Sequence, residues 1–354
     1  MRFLHTSDWH IGLKAAHAGA AGARLRAERL EAARRIAALA AEQAAEFVLI
    51  AGDTFDASAP APAEIRETAA LLNAFPAPVY LIPGNHDPNV PGGPWEHPAW
   101  RDCANVHCLL EPEPVRLNGG TLYPCPLRSR WQSGDPLAWI PARTDADGIR
   151  IGLAHGSLAA FGGPIPPDAA ARMDLDYLAL GDWHSASADL DRGPREAYSG
   201  TPEPDAFDQR DSGFVLIVDI TAPGAAPRLT KLRSGRLEWR RRVATLRGEG
   251  GARRLREQLE AEAGPWTLLD LSISGELEAG DEDELAAVER LLAERYFASR
   301  LRRGALWPAG ADAAIPPGAL SIAADELRAQ AARGDATAAE ALLLLRRLAL
   351  EAGA

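Results

Sequence analysis

The sequence predicts a layered α/β fold with a smaller C-terminal α/β appendage and terminal helices. Three observations predict it. Short apolar runs alternate with amphipathic stretches of helical spacing, several of the early runs end on a cluster of Asp, His or Asn, and beyond Ser234-Gly235 the alternation continues without those clusters. Layered α/β folds carry their chemistry at strand carboxyl ends in this way. The predicted boundaries follow: a catalytic domain over 1–234, a small α/β capping domain over 235–320 and a helical tail over 321–354.

The first strand is "RFLHT". From Arg24 to Glu46, Leu25, Leu30, Ile36 and Leu39 recur among charges at helical spacing. "FVLIAGD" is the next strand, a second helix lies near Ala63 to Ala74, and "PVYLIPGNHD" is the third strand. The runs "IRIGLAHG", "LDYLALGD" and "GFVLIVDI" supply further strands, separated by Pro/Gly-rich loops such as Gly162 to Ala169. Past the boundary, "ARRLREQLEAEA" and "DEDELAAVERLLAERYF" are helical in pattern and "WTLLDLSISG" is strand-like. The tail carries two helices, 321–334 and 335–353, each opened by a capping residue type and closed by Gly. Leu342 to Leu345 is apolar on more faces than an exposed helix needs, so it packs on something.

At 354 residues the chain can bury a substantial core. No apolar run approaches the ~20 residues that span a bilayer, and the start lacks the pattern of a secretory leader, so a soluble cytoplasmic protein beginning at Met1 is expected. Cys103, Cys108 and Cys125 have no CxxC spacing and fit reduced, partly buried thiols. The net charge of −11 argues against a chain that coats nucleic acid over its whole surface. It is uneven, however: Arg228 to Arg256 holds eleven Lys or Arg against two Glu.

Asp8-Trp9-His10, Gly52-Asp53 with Asp56, Gly84-Asn85-His86-Asp87, His155-Gly156 and Asp182-Trp183-His184 each follow a predicted strand. Singly, each fits a turn, a cap or a hydrogen-bonded core histidine. Together they form the carboxylate, imidazole and amide donor set of one or two divalent cations. In an extended chain the spacing of two lets both members of Asp8-x-His10 and of Asp182-x-His184 face one side. Trp9 and Trp183 would then point away into packing, with a substrate groove as the other use of one of them. His5 is expected to be structural.

In this order the clusters resemble the calcineurin-like metallophosphoesterase superfamily. "LHTSDWHIG", "AGDTFD", "PGNHD" and "YSGTPEP" are similar to the SbcD-type nuclease subunits of DNA double-strand-break repair, over roughly Met1 to Leu232. The resemblance implies a two-sheet αββα sandwich with two metals at the strand ends. It assigns Asp8, His10 and His184 to one metal, Asn85, His155 and Asp182 to the other, and Asp53 as a bridge. His86 would protonate the departing oxygen, with Asp56 either holding its imidazole or capping the following helix. The resemblance also implies an SMC-like ATPase partner on the C-terminal helices, for which 335–350 is the candidate. Packing of that tail on its own domain is the alternative, and a homodimer is compatible with either.

The family commonly has Gly-His-x-His where this chain has Gly181-Asp182-Trp183-His184. A third carboxylate beside Asp8 and Asp53 favours the harder ions manganese and magnesium over zinc, with manganese foremost and magnesium, iron and zinc as the alternatives. The other reading is that Asp182 only orients a neighbour. A metal-dependent phosphodiester hydrolase acting on DNA is expected, with Arg240, Arg241 and Arg242 as phosphate contacts or as a solvated face. The alternatives are a phosphoesterase of small nucleotides and a weakly active metal-binding interaction subunit.

Overall fold

The computed structural model describes residues 1–15, 21–131, 134–187, 189–309 and 315–353. It divides into two compact units, Met1–Leu237 and Glu238–Ala354.

In the first unit, β1 (Arg2–Thr6), α1 (Gly22–Glu42), β2 (Val48–Ala51), α2 (Pro62–Asn73), β3 (Val79–Ile82) and β4 (Val106–Cys108) alternate as the periodicity requires. A second group follows: β5 (Val115–Leu117), β6 (Gly120–Cys125), β7 (Ile149–His155), a short α3 (Ala169–Arg172), β8 (Tyr177–Gly181) and β9 (Glu196–Tyr198). The chain then returns through β10 (Phe214–Asp219) and β11 (Arg228–Arg233). Two sheets result, a six-stranded one in the order β11-β10-β1-β2-β3-β4 and a five-stranded one in the order β5-β6-β7-β8-β9. Strands β1 to β4 run parallel, as do β6 to β9.

Strand alternation explains the layers. Phe3, Leu49 and Ala51 meet Ile151, Leu153, Tyr177 and Ala179 between the sheets, while Leu4, Val48 and Ile50 face outward into the α1 and α2 layer with Ile36, Ala69 and Leu72. On the far side Ala154, Leu178 and Leu180 pack under Leu137, Ile140, Ala169 and Ala170. Burying both faces is why these strands read as continuous apolar runs rather than alternating ones. The result is the two-sheet α/β sandwich that the resemblance implies, with one outer layer made of a single helical turn and loops. His5 bridges the sheets: its Nδ1 lies 2.9 Å from the Tyr177 hydroxyl and its Nε2 3.2 Å from the Leu180 carbonyl. The carbonyl can only accept, so Nε2 carries the proton and Nδ1 accepts from tyrosine. Burial pushes His5 down to about 3, which keeps it neutral.

Two expected boundaries move. Helix α1 stops at Glu42, because Ala44 turns left-handed at φ 51°. Helix α2 starts at Pro62 with Ala61 as its N-cap, so Asp56 is not the cap.

The second unit is a β-α-β-α-β run: β12 (Glu238–Leu246), α4 (Gly251–Glu262), β13 (Thr267–Leu277), α5 (Asp281–Arg295) and β14 (Ala298–Pro308), whose strands form a parallel sheet in chain order. Leu255, Leu259, Leu271, Ile273, Leu285 and Val288 make its core. Helices α6 (Ala319–Ala332) and α7 (Ala336–Gly353) pair through Ala324, Leu342 and Ala349. The Arg346 guanidinium sits 3.9 Å over the Trp307 ring, which ties α7 to β14. Leu344 remains half-exposed.

Among the described residues, no helix is long and apolar enough to cross a membrane. All three cysteines are free thiols.

Candidate metal centre

Parallel strands from both sheets deliver side chains to one place. Asp8 and His10 follow β1, Asp53 follows β2, Asn85 and His86 follow β3, His155 ends β7, and Asp182 and His184 follow β8. The loops are laced together by backbone bonds, Asp8 N to Gly52 O at 3.1 Å and His10 N to Asp53 O at 3.0 Å.

The extended geometry expected of the Asp-x-His pairs is not what aims them. Asp8, His10, Asp53 and Asp182 all have positive φ, at 55°, 46°, 51° and 100°. Such conformations cost roughly 1–3 kcal/mol each and persist only where the surroundings enforce them. Because the strands end before these residues, alternation does not govern where the intervening tryptophans go. Trp9 is still buried, with its indole N–H donating to Thr6 Oγ1 at 3.0 Å. Trp183 is not packed away: it is 41% exposed and stacks on Phe161. Close approach explains one glycine, since a Cβ at Gly84 would lie 2.1 Å from Asp53 Oδ1.

Potential ligand atoms converge within 4.8 Å of one another in three overlapping groups: Asp8, His10 and His184; Asp8, Asp53 and His155; and His10, Asp53 and His86. Asp53 is central, with Oδ2 lying 3.4 Å from His10 Nε2 and 3.5 Å from His155 Nε2. Asn85 Oδ1 stands 3.2 Å from His155 Nε2, and Asp182 Oδ1 stands 3.8 Å from the same nitrogen. Asp182 belongs to none of the three groups, and Ser157 Oγ donates to its other oxygen.

The far edges of the imidazoles are fixed. His155 Nδ1 donates to the Ala51 carbonyl at 2.7 Å, which turns Nε2 toward Asp53. His10 Nδ1 faces Asp205 Oδ2 at 3.1 Å. His184 Nδ1 faces the Gln209 amide at 2.7 Å, with Nε2 turned to Asp8 Oδ1 at 4.0 Å. Behind them, buried Arg29 donates to the carbonyls of Trp9 at 2.7 Å and Glu203 at 2.8 Å and pairs with Asp205 at 3.4 Å. Burial alone would raise Asp205, but Arg29, His10 and His184 hold its carboxyl far below the usual range.

The donor set fits divalent cations. Oxygen and imidazole nitrogen ligands with oriented outer partners are what such sites require. The electrostatics agree: burial pulls His10 and His155 down, yet the surrounding carboxylates carry both up to about 10. The cluster therefore demands positive charge, which cations supply in place of those protons.

His86 lies at the rim. Its ring stacks on His10 at 4.9 Å, its backbone N–H donates to Asp53 Oδ1 at 2.8 Å, and its Nδ1 donates to Asp56. The acceptor is the Asp56 carbonyl at 3.0 Å, with the carboxylate at 3.6 Å, so the hold expected from the side chain comes chiefly from the backbone. Asp56 raises the His86 pKa against the opposing effect of burial. Asp87, fully buried, accepts from Phe55 N and Gly84 N and so shapes the loop.

Arg240, Arg241 and Arg242 lie on β12 of the second unit. Alternation puts the middle one on the opposite face from its neighbours, and they pair with Glu238, Asp270 and Glu262 respectively. The Arg240–Glu238 pair is exposed on both sides and of the kind that contributes little, whereas Asp270 is buried and Arg242 is largely covered.

Sequence reasoning missed Arg29, Asp205 and Gln209. A charged pair on an otherwise apolar helix face, Glu28-Arg29, was the available signal for the first. "YSGTPEP" runs directly into Asp205, and Thr201 within it donates to the Asp8 carbonyl at 2.8 Å.

A family model for calcineurin-like phosphoesterases matches residues 1–186, and the chain belongs to that family. It is similar to the uncharacterised metallophosphoesterase YhaO of Bacillus subtilis, 26% identical over 239 residues, a match covering 61% of this chain and 57% of that protein. It is also similar to the DNA double-strand break repair protein Mre11 of Archaeoglobus fulgidus, 38% identical over 91 residues, covering 25% of this chain and 19% of that protein. The chain is thus matched to little more than half of the first relative's length and about a fifth of the second's.

Proposed function

We propose that this chain is a two-metal phosphodiesterase whose substrate is DNA. One observation carries the reading: side chains from five strand ends converge, Asp8, His10, His155 and His184 in overlapping groups with Asp53, Asn85 and Asp182 beside His155, and His86 at the rim. Asp8, His10 and His184 would hold one cation, Asn85, His155 and Asp182 the other, and Asp53 both. With three carboxylates among the donors, manganese is the preferred ion. Bound there, the cations supply Lewis acidity toward the phosphate and a lowered pKa for water.

The chain's own residues do the rest. His86 presents Nε2, because Nδ1 is engaged by Asp56, and its raised pKa keeps a proton available for the departing oxygen. Asn85 and Arg130 line two cavities, one of about 660 Å³ that includes His86 and Lys14, the other of about 260 Å³ that includes His155 and Asp182. Room on both sides of the centre suits an ester with two substituents, and Lys14 and Arg130 suit a polyanion. DNA is favoured over a small diester by the likeness to a protein named for double-strand break repair. The half-exposed Leu344 on α7 leaves room for a partner on the tail, as the SbcD likeness implies.

The test is turnover by the manganese-loaded chain on linear duplex DNA, single-stranded DNA, a cyclic dinucleotide and a chromogenic phosphodiester. Cleavage of DNA above the small esters is expected. Preference for the cyclic dinucleotide would replace DNA as substrate, and no turnover on any of them would refute the enzyme.

A further inference from the structure

The smaller cavity has an aromatic wall that the hydrolytic chemistry does not use. Phe161 lines it beside Asn85, His155 and Asp182, with Arg130 and Trp131 completing the rim. Trp183 backs Phe161, the rings lying 4.5 Å apart at 9°. About half of each remains in solvent, 51% and 41%, and Trp131 is 84% exposed. Burial would have been the stable use of three such side chains.

The wall is held in place. Tyr198 Oη accepts from Leu158 N at 2.9 Å and donates to Gly156 O at 2.9 Å, which fixes the loop that carries Phe161, and its ring meets Phe161 edge-on at 6.5 Å. Gly162, left-handed at φ 81°, closes the turn. Trp183 in turn sits between Asp182 and His184, so the platform is built into the β8 loop itself.

We propose that Phe161, backed by Trp183, is a stacking platform for an unpaired nucleobase, namely the base of the nucleotide that keeps the phosphate. The proposal rests on the phosphodiesterase reading above and specifies its substrate as a strand with a splayed or single-stranded end. Flat aromatic faces accept any base, and a nearby guanidinium, here Arg130, meets the backbone charge. The side is fixed by His86. The departing group leaves toward the cavity that His86 lines, so the retained nucleotide occupies the other, aromatic one.

The test uses the full chain, its Phe161→Ala and Phe161→Trp variants, and two single-stranded oligonucleotides that differ in one abasic position, the nucleotide retaining the phosphate. With manganese, the wild type should cleave the intact strand roughly ten-fold more efficiently than the abasic one, chiefly through KM. Phe161→Ala should bring that ratio close to one, and Phe161→Trp should restore it. Equilibrium binding of both strands to the chelator-treated chain, which needs no turnover, should show the same preference and the same loss. A wild-type ratio near one, or a ratio unmoved by Phe161→Ala, overturns the platform while leaving the hydrolase intact. Cleavage of neither strand refutes the nuclease reading, and equal affinity for the two strands then overturns the platform as well.

Discussion

The two halves of the proposed metal centre are built to different standards. Around Asp8 and His10, both buried, the support is double, with buried Arg29, Asp205 and Thr201 behind them, and the half-buried His184 is braced by Gln209. Around Asn85 and Asp182 the support is thinner: Asp182 has its side chain 22% exposed, and Ser157 is its side-chain partner. Outer partners orient ligands and typically govern 10- to 100-fold in metal affinity. The first half should therefore hold its cation tightly and the second more loosely, with the imidazole-to-carboxylate change at position 182 confined to the looser half.

Asp53 joins the halves, so its loss breaks the comparison outright. Asp53→Ala should remove both cations and activity by more than the 10- to 100-fold that an outer partner costs, as read by metal content and kcat/KM. His86→Ala should leave both cations in place and slow hydrolysis of a diester with a poor leaving group by about 10²–10⁴-fold, with a smaller effect for a good leaving group. Asp182→Ala should weaken one equivalent of manganese and spare the other, whereas Asp205→Ala should weaken the opposite equivalent by roughly 10-fold. Calorimetric titration of the two variants sharpens the contrast: if both lose the same equivalent, the halves are not separate.

The smallest effect lies away from the centre, in the histidine that pins the sheets together. His5 is pushed down to about 3 when folded, from an ordinary value of 6.5. The unfolded chain therefore binds the proton more readily. Its contribution is fully present above pH 6.5 and is lost as pH falls from there toward 3, by about 1.4 kcal/mol per pH unit. Denaturation at pH 7.5 and 5.5 should show a steeper acid loss for the wild type than for His5→Gln.

Legibility in the sequence followed the same division. Strands β1, β2, β3, β7 and β8 were readable because burial on both faces leaves uninterrupted apolar runs, and Asp, His and Asn stand out where those runs end. The local geometry was not readable, since left-handed Asp8, His10 and Asp182 depend on contacts between loops far apart in sequence. The outer support was hidden for a related reason. Arg29 lies on a helix and Asp205 in a loop, 21 and 197 residues from Asp8 and separated by 176 from one another, and only the fold brings them together. In the second unit β14, "ASRLRRGALWP", carries too many charges to read as a strand, and its pairing with β13 supplies what its composition does not.

An anomalous-scattering map of manganese-soaked crystals addresses the pair of cations directly. Two peaks are expected, one among Asp8, His10, His184 and Asp53, the other among Asp53, Asn85, His155 and Asp182, with the second weaker at limiting manganese. A single peak, or peaks lying away from Asp53, would contradict it.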